Sequence, residues 1–106
     1  MDMLVLRTLL PGPAHGHAIA HAIERNSDDV LQVEQGSLYP ALHRLERLGL
    51  AESTAERVDG RVRRIYSLTG DGRSARAEAR ASWMRYAQAV QSVLGPVSPL
   101  TAGGAA

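Results

Sequence analysis

The sequence predicts a mainly α-helical domain with one small β-hairpin, and three observations support this fold class. Apolar residues recur at spacings of three and four over most of the chain, which is typical of amphipathic helices. The pattern becomes extended around Asp59-Gly60, a dipeptide that favours a tight hairpin turn. The 106 residues suffice for one domain, but so small a domain buries little apolar surface, which favours completion of the core by a second copy.

Two short helices and an extended segment are predicted first. Residues 2–10 are apolar on several sides, so this helix should be buried, and Pro11 ends it. A second helix is predicted from about Gly16 to Asn26, with apolar residues along one face. Residues 30–34 show no clear period, and we expect extended chain or a short strand.

The third helix is predicted to begin near Gly36 or Ser37 and to end at Gly49. Ser37 is expected to be the N-cap, Pro40 to lie in the first turn, and Gly49 to adopt a left-handed conformation. A stripe at spacings of four, three and three is expected to be buried: Leu38, Leu42, Leu45 and Leu48. The opposite face is polar and suits the major groove of DNA: Ser37, Tyr39, His43, Arg44 and Arg47.

A basic hairpin follows. Residues 50–57 and 63–68 are predicted strands around the Asp59-Gly60 turn. Four arginines fall within eight residues that contain one acid: Arg57, Arg61, Arg63 and Arg64. Although the net charge of the chain is only +1, a local patch of this kind attracts a phosphate backbone. A polar helix face beside a basic two-stranded ribbon is the layout of a winged helix-turn-helix, which predicts DNA binding.

A long alanine-rich helix is predicted from Thr69 or Asp71 to about Leu94. It carries a heptad-like apolar seam suited to a partner helix, formed by Ala79, Trp83, Tyr86, Val90 and Val93. The predicted organisation is therefore a winged helix-turn-helix at residues 1–68, a dimerisation helix at 69–94 and a disordered tail at 95–106.

Several classes of protein are disfavoured. The chain has no cysteine and no run of about 20 apolar residues, so disulfides and membrane spans are not expected and the default location is the cytoplasm. His17 and His21 are four residues apart, but apart from Glu24 no carboxylate or thiol lies at a matching spacing. We therefore expect solvated histidines rather than a metal site, and no cofactor. No catalytic motif is present, so an enzyme is not expected.

Three stretches resemble the PadR family of bacterial transcriptional regulators: HGHAIAHAI at 15–23, VLQVEQGSLYPALHRLERLGL at 30–50 and YSLTGDGR at 66–73. The resemblance extends over about residues 3–94. It implies a homodimeric winged-helix repressor whose third helix enters the major groove of an inverted-repeat operator. It also implies that the wing touches the DNA backbone and that the single C-terminal helix, as in the short subfamily, mediates dimerisation.

The resemblance also implies site residues. Gln35, Ser37 and Tyr39 match the start of the recognition helix, although Tyr39 could instead brace the hairpin. The full predicted DNA-binding set is Gln35, Ser37, Tyr39, His43, Arg44, Arg61, Arg63 and Arg64. Arg47 is interpreted as a partner of the helix dipole. His17 departs from the family pattern, which has an aromatic residue there.

Trp83 has two interpretations. In drug-sensing relatives of the short subfamily, a tryptophan in a similar context lines a cavity between subunits and stacks on flat ligands, which would make Ala79, Trp83, Tyr86 and Val90 part of a pocket for a planar aromatic effector. The alternative, which we favour from composition, is simple packing of the dimer interface. A winged helix that binds another protein instead of DNA is the main alternative function.

Overall fold

The computed structural model describes residues 1–95, which form four helices and a three-stranded antiparallel sheet. The elements in order are α1 (Asp2–Thr8), β1 (Ala14–His15), α2 (Gly16–Asn26), α3 (Gln35–Arg47), β2 (Ala51–Val58), β3 (Arg61–Leu68) and α4 (Gly70–Leu94). The predicted fold class is confirmed. The predicted tail, residues 95–106, lies outside the described residues apart from Gly95.

The core lies where α1, α2 and α3 meet one face of the sheet. Its buried residues are Val5, Leu6, Leu9, Ile19, Ile23, Leu38, Leu42, Leu45, Ala51, Tyr66 and Leu68. The all-round apolar character of α1 is explained by this position, because α1 contacts α2, α3 and α4. Burial of these side chains is the main force that holds the winged-helix part together.

The start of α3 differs from the prediction. The helix begins at Gln35, and the amides of Ser37 and Leu38 both donate to the carbonyl of Glu34, so Glu34 and not Ser37 is the N-cap. Pro40 is consequently the sixth residue of the helix rather than a first-turn residue. Its missing N–H leaves the carbonyl of Gly36 without a helical partner, which is tolerated because Gly36 is exposed to water.

The end of α3 confirms one prediction and corrects another. Gly49 has φ of 76°, and the amides of Gly49 and Leu50 donate to the carbonyls of Glu46 and Leu45, which is a Schellman motif. Leu48, predicted to be buried, is 60% exposed. Its backbone is still in the right-handed helical region, but two successive steps of three residues place its side chain about 120° round the helix from Leu42 and away from the core.

The hairpin is confirmed, and its turn matches the prediction. Asp59 and Gly60 have φ of 51° and 78°, the pair of positive values that a type I′ turn requires. Sequence reasoning missed β1, in which Ala14 and His15 pair with Tyr66 and Ile65. Two residues are too few to show an alternating pattern, and residues 30–34, where a short strand was considered, contain none.

Thr69 caps α4, as one of the two predicted candidates. Its Oγ1 accepts a hydrogen bond from the amide of Gly72 at 3.0 Å and donates to the carbonyl of Gly49 at 2.7 Å, tying α4 to the end of α3. The first part of α4 packs against α1, and its later part is largely exposed. Over residues 1–95, no helix combines the length and apolarity needed to cross a bilayer.

Candidate nucleic-acid interface

The exposed face of α3 presents a polar surface opposite its buried leucines. Gln35, Ser37 and His43 are exposed, as predicted for residues that meet a groove. Arg47 is also exposed and lies one turn beyond His43 on the same face. The sequence analysis placed Arg47 on this polar face, and the structure agrees with that position.

Tyr39 stands at the junction of α3 and α2. Its side chain is 37% exposed, and a Cβ built on Gly16 would lie 2.9 Å from Tyr39 Oη and 3.2 Å from the ring. The ring therefore packs directly on the first residue of α2. Glycine at position 16 leaves room for it, and the contact fixes the N-terminus of α2 against α3 with the tyrosine edge still accessible.

Arg44 is tied to α1 by an ion pair with Asp2, and both side chains are half-exposed. Arg44 Nε donates to Asp2 Oδ2 at 2.8 Å, and Arg44 Nη2 bonds the second oxygen, giving a bidentate contact. The hydrogen bond and charge of Arg44 lower the pKa of the Asp2 carboxyl below its ordinary value. Its guanidinium is thus directed at α1, away from the surface shared by Gln35 and His43.

Replacing Asp2 by asparagine is expected to lower the thermal midpoint of unfolding slightly at pH 7, because a half-exposed pair is screened by solvent. Since the folded-state pKa of Asp2 is lowered, its contribution is present above the ordinary carboxyl pKa of about 3.9 and is lost as the pH falls through the folded value. The gap between the wild-type and Asp2→Asn midpoints should stay constant from about pH 8 to 5 and close below about pH 4.

Thermal unfolding followed by circular dichroism across this pH series measures the gap. Glu78→Gln removes an exposed carboxylate of α4 and serves as the control for a general change of charge. If the gap between the wild-type and Asp2→Asn midpoints stays the same down to about pH 3, the stabilising role assigned to the Asp2–Arg44 ion pair is contradicted.

The arginines of the wing, defined as β2, the turn and β3, divide between two faces. Side chains alternate along β3, so Arg61 and Arg63 share one face, whereas Arg64 lies on the face of the buried Tyr66. Arg64 Nε donates to Ser53 Oγ at 3.0 Å, and Ser53 Oγ donates to Glu46 Oε2 at 2.7 Å. This chain of bonds joins the wing to α3, so Arg64 has a structural contact that the linear sequence did not predict.

The face of the wing that carries Arg61 and Arg63, here called its outer face, is less basic than the number of arginines in this part of the sequence suggests. Strand pairing places Glu56 directly opposite Arg63, and Arg63 Nη1 also lies 3.4 Å from His15 Nε2. Cross-strand neighbours interact, so Glu56 offsets part of the positive field around Arg63. Arg61, beside the turn, pairs with Val58 and has no acid opposite it.

Comparison with known proteins identifies the family. Residues 5–78 match the model of the transcriptional regulator PadR-like family. The chain is also 37% identical over 86 residues to the transcriptional regulator Rv3488 of Mycobacterium tuberculosis, covering 81% of this chain and 78% of that protein. The chain belongs to the PadR-like family of transcriptional regulators.

Solved structures share the fold of this PadR-like chain. A transcriptional regulator from Clostridium thermocellum superposes with a TM-score of 0.81 at 23% identity, covering 87% of this chain and 90% of that one. Bacillus subtilis PadR in complex with operator DNA gives a TM-score of 0.66 at 19% identity, covering 73% of this chain and 44% of that one. These likenesses show that the winged-helix fold is shared with these solved structures.

The predicted dimerisation residues of the PadR-like chain lie along α4. Ala79 and Val90 are half-buried, whereas Trp83 and Tyr86 are 49% and 62% exposed, with ring centroids 5.6 Å apart. Trp83 also borders a groove beside α1 and α4, whose lining combines apolar side chains with three arginines: Met3, Leu4, Leu31, Arg7, Arg76 and Arg80. The seam thus leaves two aromatic rings uncovered within a single chain.

Proposed function

We propose that this chain is a sequence-specific DNA-binding repressor that acts in the cytoplasm as a homodimer on an inverted-repeat operator. The observation that carries the proposal is the position of the polar face of α3 beside a wing whose outer face bears Arg61 and Arg63. A helix in the major groove with a basic ribbon on the backbone is an established mode of DNA recognition. The fold shared with Bacillus subtilis PadR, solved with operator DNA, supports the same mode.

The contacts divide into two kinds. Gln35, Ser37 and His43 carry hydrogen-bonding groups suited to base edges or phosphates, and Arg47 adds a cation at the end of the same face. Arg61 and Arg63 supply charge to the phosphate backbone, which positions the protein without reading sequence. Arg44 and Arg64 are bonded within the fold, so we assign them to holding α3 and the wing in place.

The uncovered seam of α4 supports the homodimer. Trp83, Tyr86 and Val93 expose apolar surface on one side of a helix that extends past the winged-helix part. Covering that surface with the same seam of a second copy would remove it from water, and a twofold axis would pair identical faces. Two recognition helices related by this axis match an operator with twofold symmetry.

Val90→Asp is expected to convert a dimer to a monomer while leaving the winged-helix part folded. A carboxylate in a packed apolar seam must be desolvated, and we expect the dimer dissociation constant to rise at least about 100-fold, equivalent to roughly 3 kcal/mol. Analytical ultracentrifugation measures the mass, and circular dichroism checks the fold. Ala81→Asp, which adds the same charge on the exposed opposite side of α4, should remain dimeric. A dimeric Val90→Asp protein would show that the seam lies elsewhere.

Footprinting with the DNA upstream of its own gene tests the proposed function. Protection of two half-sites about one helical turn apart, with an affinity that falls linearly in log–log terms as salt rises, is the expected result. If the protein neither protects that DNA nor binds a pool of randomised duplexes in a salt-dependent way, the protein-binding alternative is favoured. A decrease in transcription from a promoter that contains the protected site, when the protein is added, would establish repression.

A further inference from the structure

The exposed side of α2 carries two histidines whose ring nitrogens converge. His17 and His21 stand four residues apart, and their Nε2 atoms are separated by 3.1 Å. The rings meet edge to face with centroids 4.6 Å apart, and both side chains are exposed to solvent. The two nitrogens lie within hydrogen-bonding distance of each other, and neither residue belongs to the proposed DNA contacts or to the core.

The geometry of this pair matches that of two ligands on one metal ion. Imidazole nitrogens bound to zinc at about 2.0–2.1 Å in a tetrahedral arrangement are roughly 3.4 Å apart, close to the separation seen here. Two histidines at positions i and i+4 of a helix are the spacing that zinc-binding helices use. Because the two Nε2 atoms already lie close together, binding would restrict few additional side-chain torsions.

The surroundings favour a cation. The adjoining depression on α2 and the following turn is lined by His21 together with Glu24, Asp28 and Asp29, against one cation, Arg25. Glu24 Oε2 accepts a hydrogen bond from the amide of Val33 at 2.9 Å, so this carboxylate is committed to the fold. Among residues 1–95, no group of three or more histidine, cysteine, aspartate or glutamate side chains is arranged around one point. Two protein ligands would therefore be completed by water.

We propose that His17 and His21 form a binding site for a divalent transition-metal ion on the surface of α2. Imidazole ligands suit zinc, nickel and copper, and copper(II) should bind most tightly of the divalent series. His15 is not a third ligand, because its Nδ1 accepts a hydrogen bond from the amide of Ala18 and caps α2. The sequence analysis expected solvated histidines because no third ligand residue was found. A site whose remaining positions are filled by water does not need a third protein ligand.

Titration calorimetry of the tag-free chain with Ni²⁺ or Zn²⁺, in the absence of DNA, tests the site independently of the proposed function. We expect one ion per protomer in the wild type. Loss of an outer-shell group alone weakens metal binding about 10- to 100-fold, so His17→Ala and His21→Ala should each cost at least about tenfold. His43→Ala, which removes the exposed histidine of α3, is the matched control and should bind as the wild type does.

Electron paramagnetic resonance of the Cu²⁺ complex supplies a readout that a change in folding would not mimic. Coupling to two imidazole nitrogens is expected in the wild type and in His43→Ala, and coupling to one in His17→Ala. Circular dichroism confirms that each variant is folded. The proposal is overturned if the wild type binds neither Ni²⁺ nor Zn²⁺, if His17→Ala binds like the wild type, or if His43→Ala loses as much affinity as His17→Ala.

Discussion

Gly72→Ala is expected to destabilise this protein by about 3 kcal/mol, a large share of the stability of a domain this small. A Cβ at this position would lie 1.9 Å from the carbonyl oxygen of Leu50 and 3.1 Å from Leu68 Cδ2. The carbonyl of Leu50 cannot simply move, because it accepts a hydrogen bond from the amide of Thr69 at 3.2 Å. The methyl group would therefore force the start of α4 away from the end of α3.

Gly70→Ala is the matched control for this prediction. Gly70 lies in the same first turn of α4, and a Cβ there would meet nothing within 4 Å. Alanine at an unobstructed helical position stabilises by up to about 1 kcal/mol relative to glycine. Urea denaturation at equal protein concentrations should show a lower midpoint for Gly72→Ala and an equal or higher one for Gly70→Ala. Equal midpoints for the two variants would show that the contact at Leu50 relaxes without cost.

The elements that the sequence predicted well are those whose signals are local. Asp59-Gly60 specifies its own turn, Gly49 its own cap, and Thr69 accepts from an amide only three residues away. The start of α3 was misplaced because Ser37 has the chemistry of a cap, whereas the main-chain bonds to Glu34 already begin the helix there. The sequence shows which side chains can cap a helix, but backbone geometry decides whether the helix begins after Glu34 or after Ser37.

The candidate site was less predictable, because its important pairings connect distant positions. The sequence predicts that Arg44 is a surface cation that faces DNA. Its ion-pair partner Asp2 lies 42 residues earlier, so no local pattern indicates the pairing. Arg64 is bonded to Ser53 of the facing strand, and Glu56 stands opposite Arg63, contacts that depend on the register of the hairpin. The arginine-rich segment therefore located the wing correctly, whereas the protein contacts of Arg44 and Arg64 could not be predicted from it.

Of the wing arginines, Arg61 and Arg63 are those expected to contact DNA phosphates. If both do so in each protomer, the Arg61→Ala, Arg63→Ala double variant removes four contacts per dimer. The slope of log affinity against log salt should then become shallower by about 3.6, since each contact contributes about 0.9. If the variant and the wild type have equal affinity at about 1 M salt, this change of slope means that the variant binds roughly a thousandfold or more weakly at about 0.1 M salt.

Fluorescence anisotropy with the footprinted operator between about 0.05 and 0.3 M salt measures both quantities. The Arg73→Ala, Arg85→Ala variant makes the same change in charge at exposed positions of α4, so it separates local contact from the general field of the protein. An equal change of slope in the two variants would mean that net charge rather than the wing governs affinity. An unchanged slope in the wing variant would mean that the outer face of the wing does not touch phosphate, and that α3 alone holds the DNA.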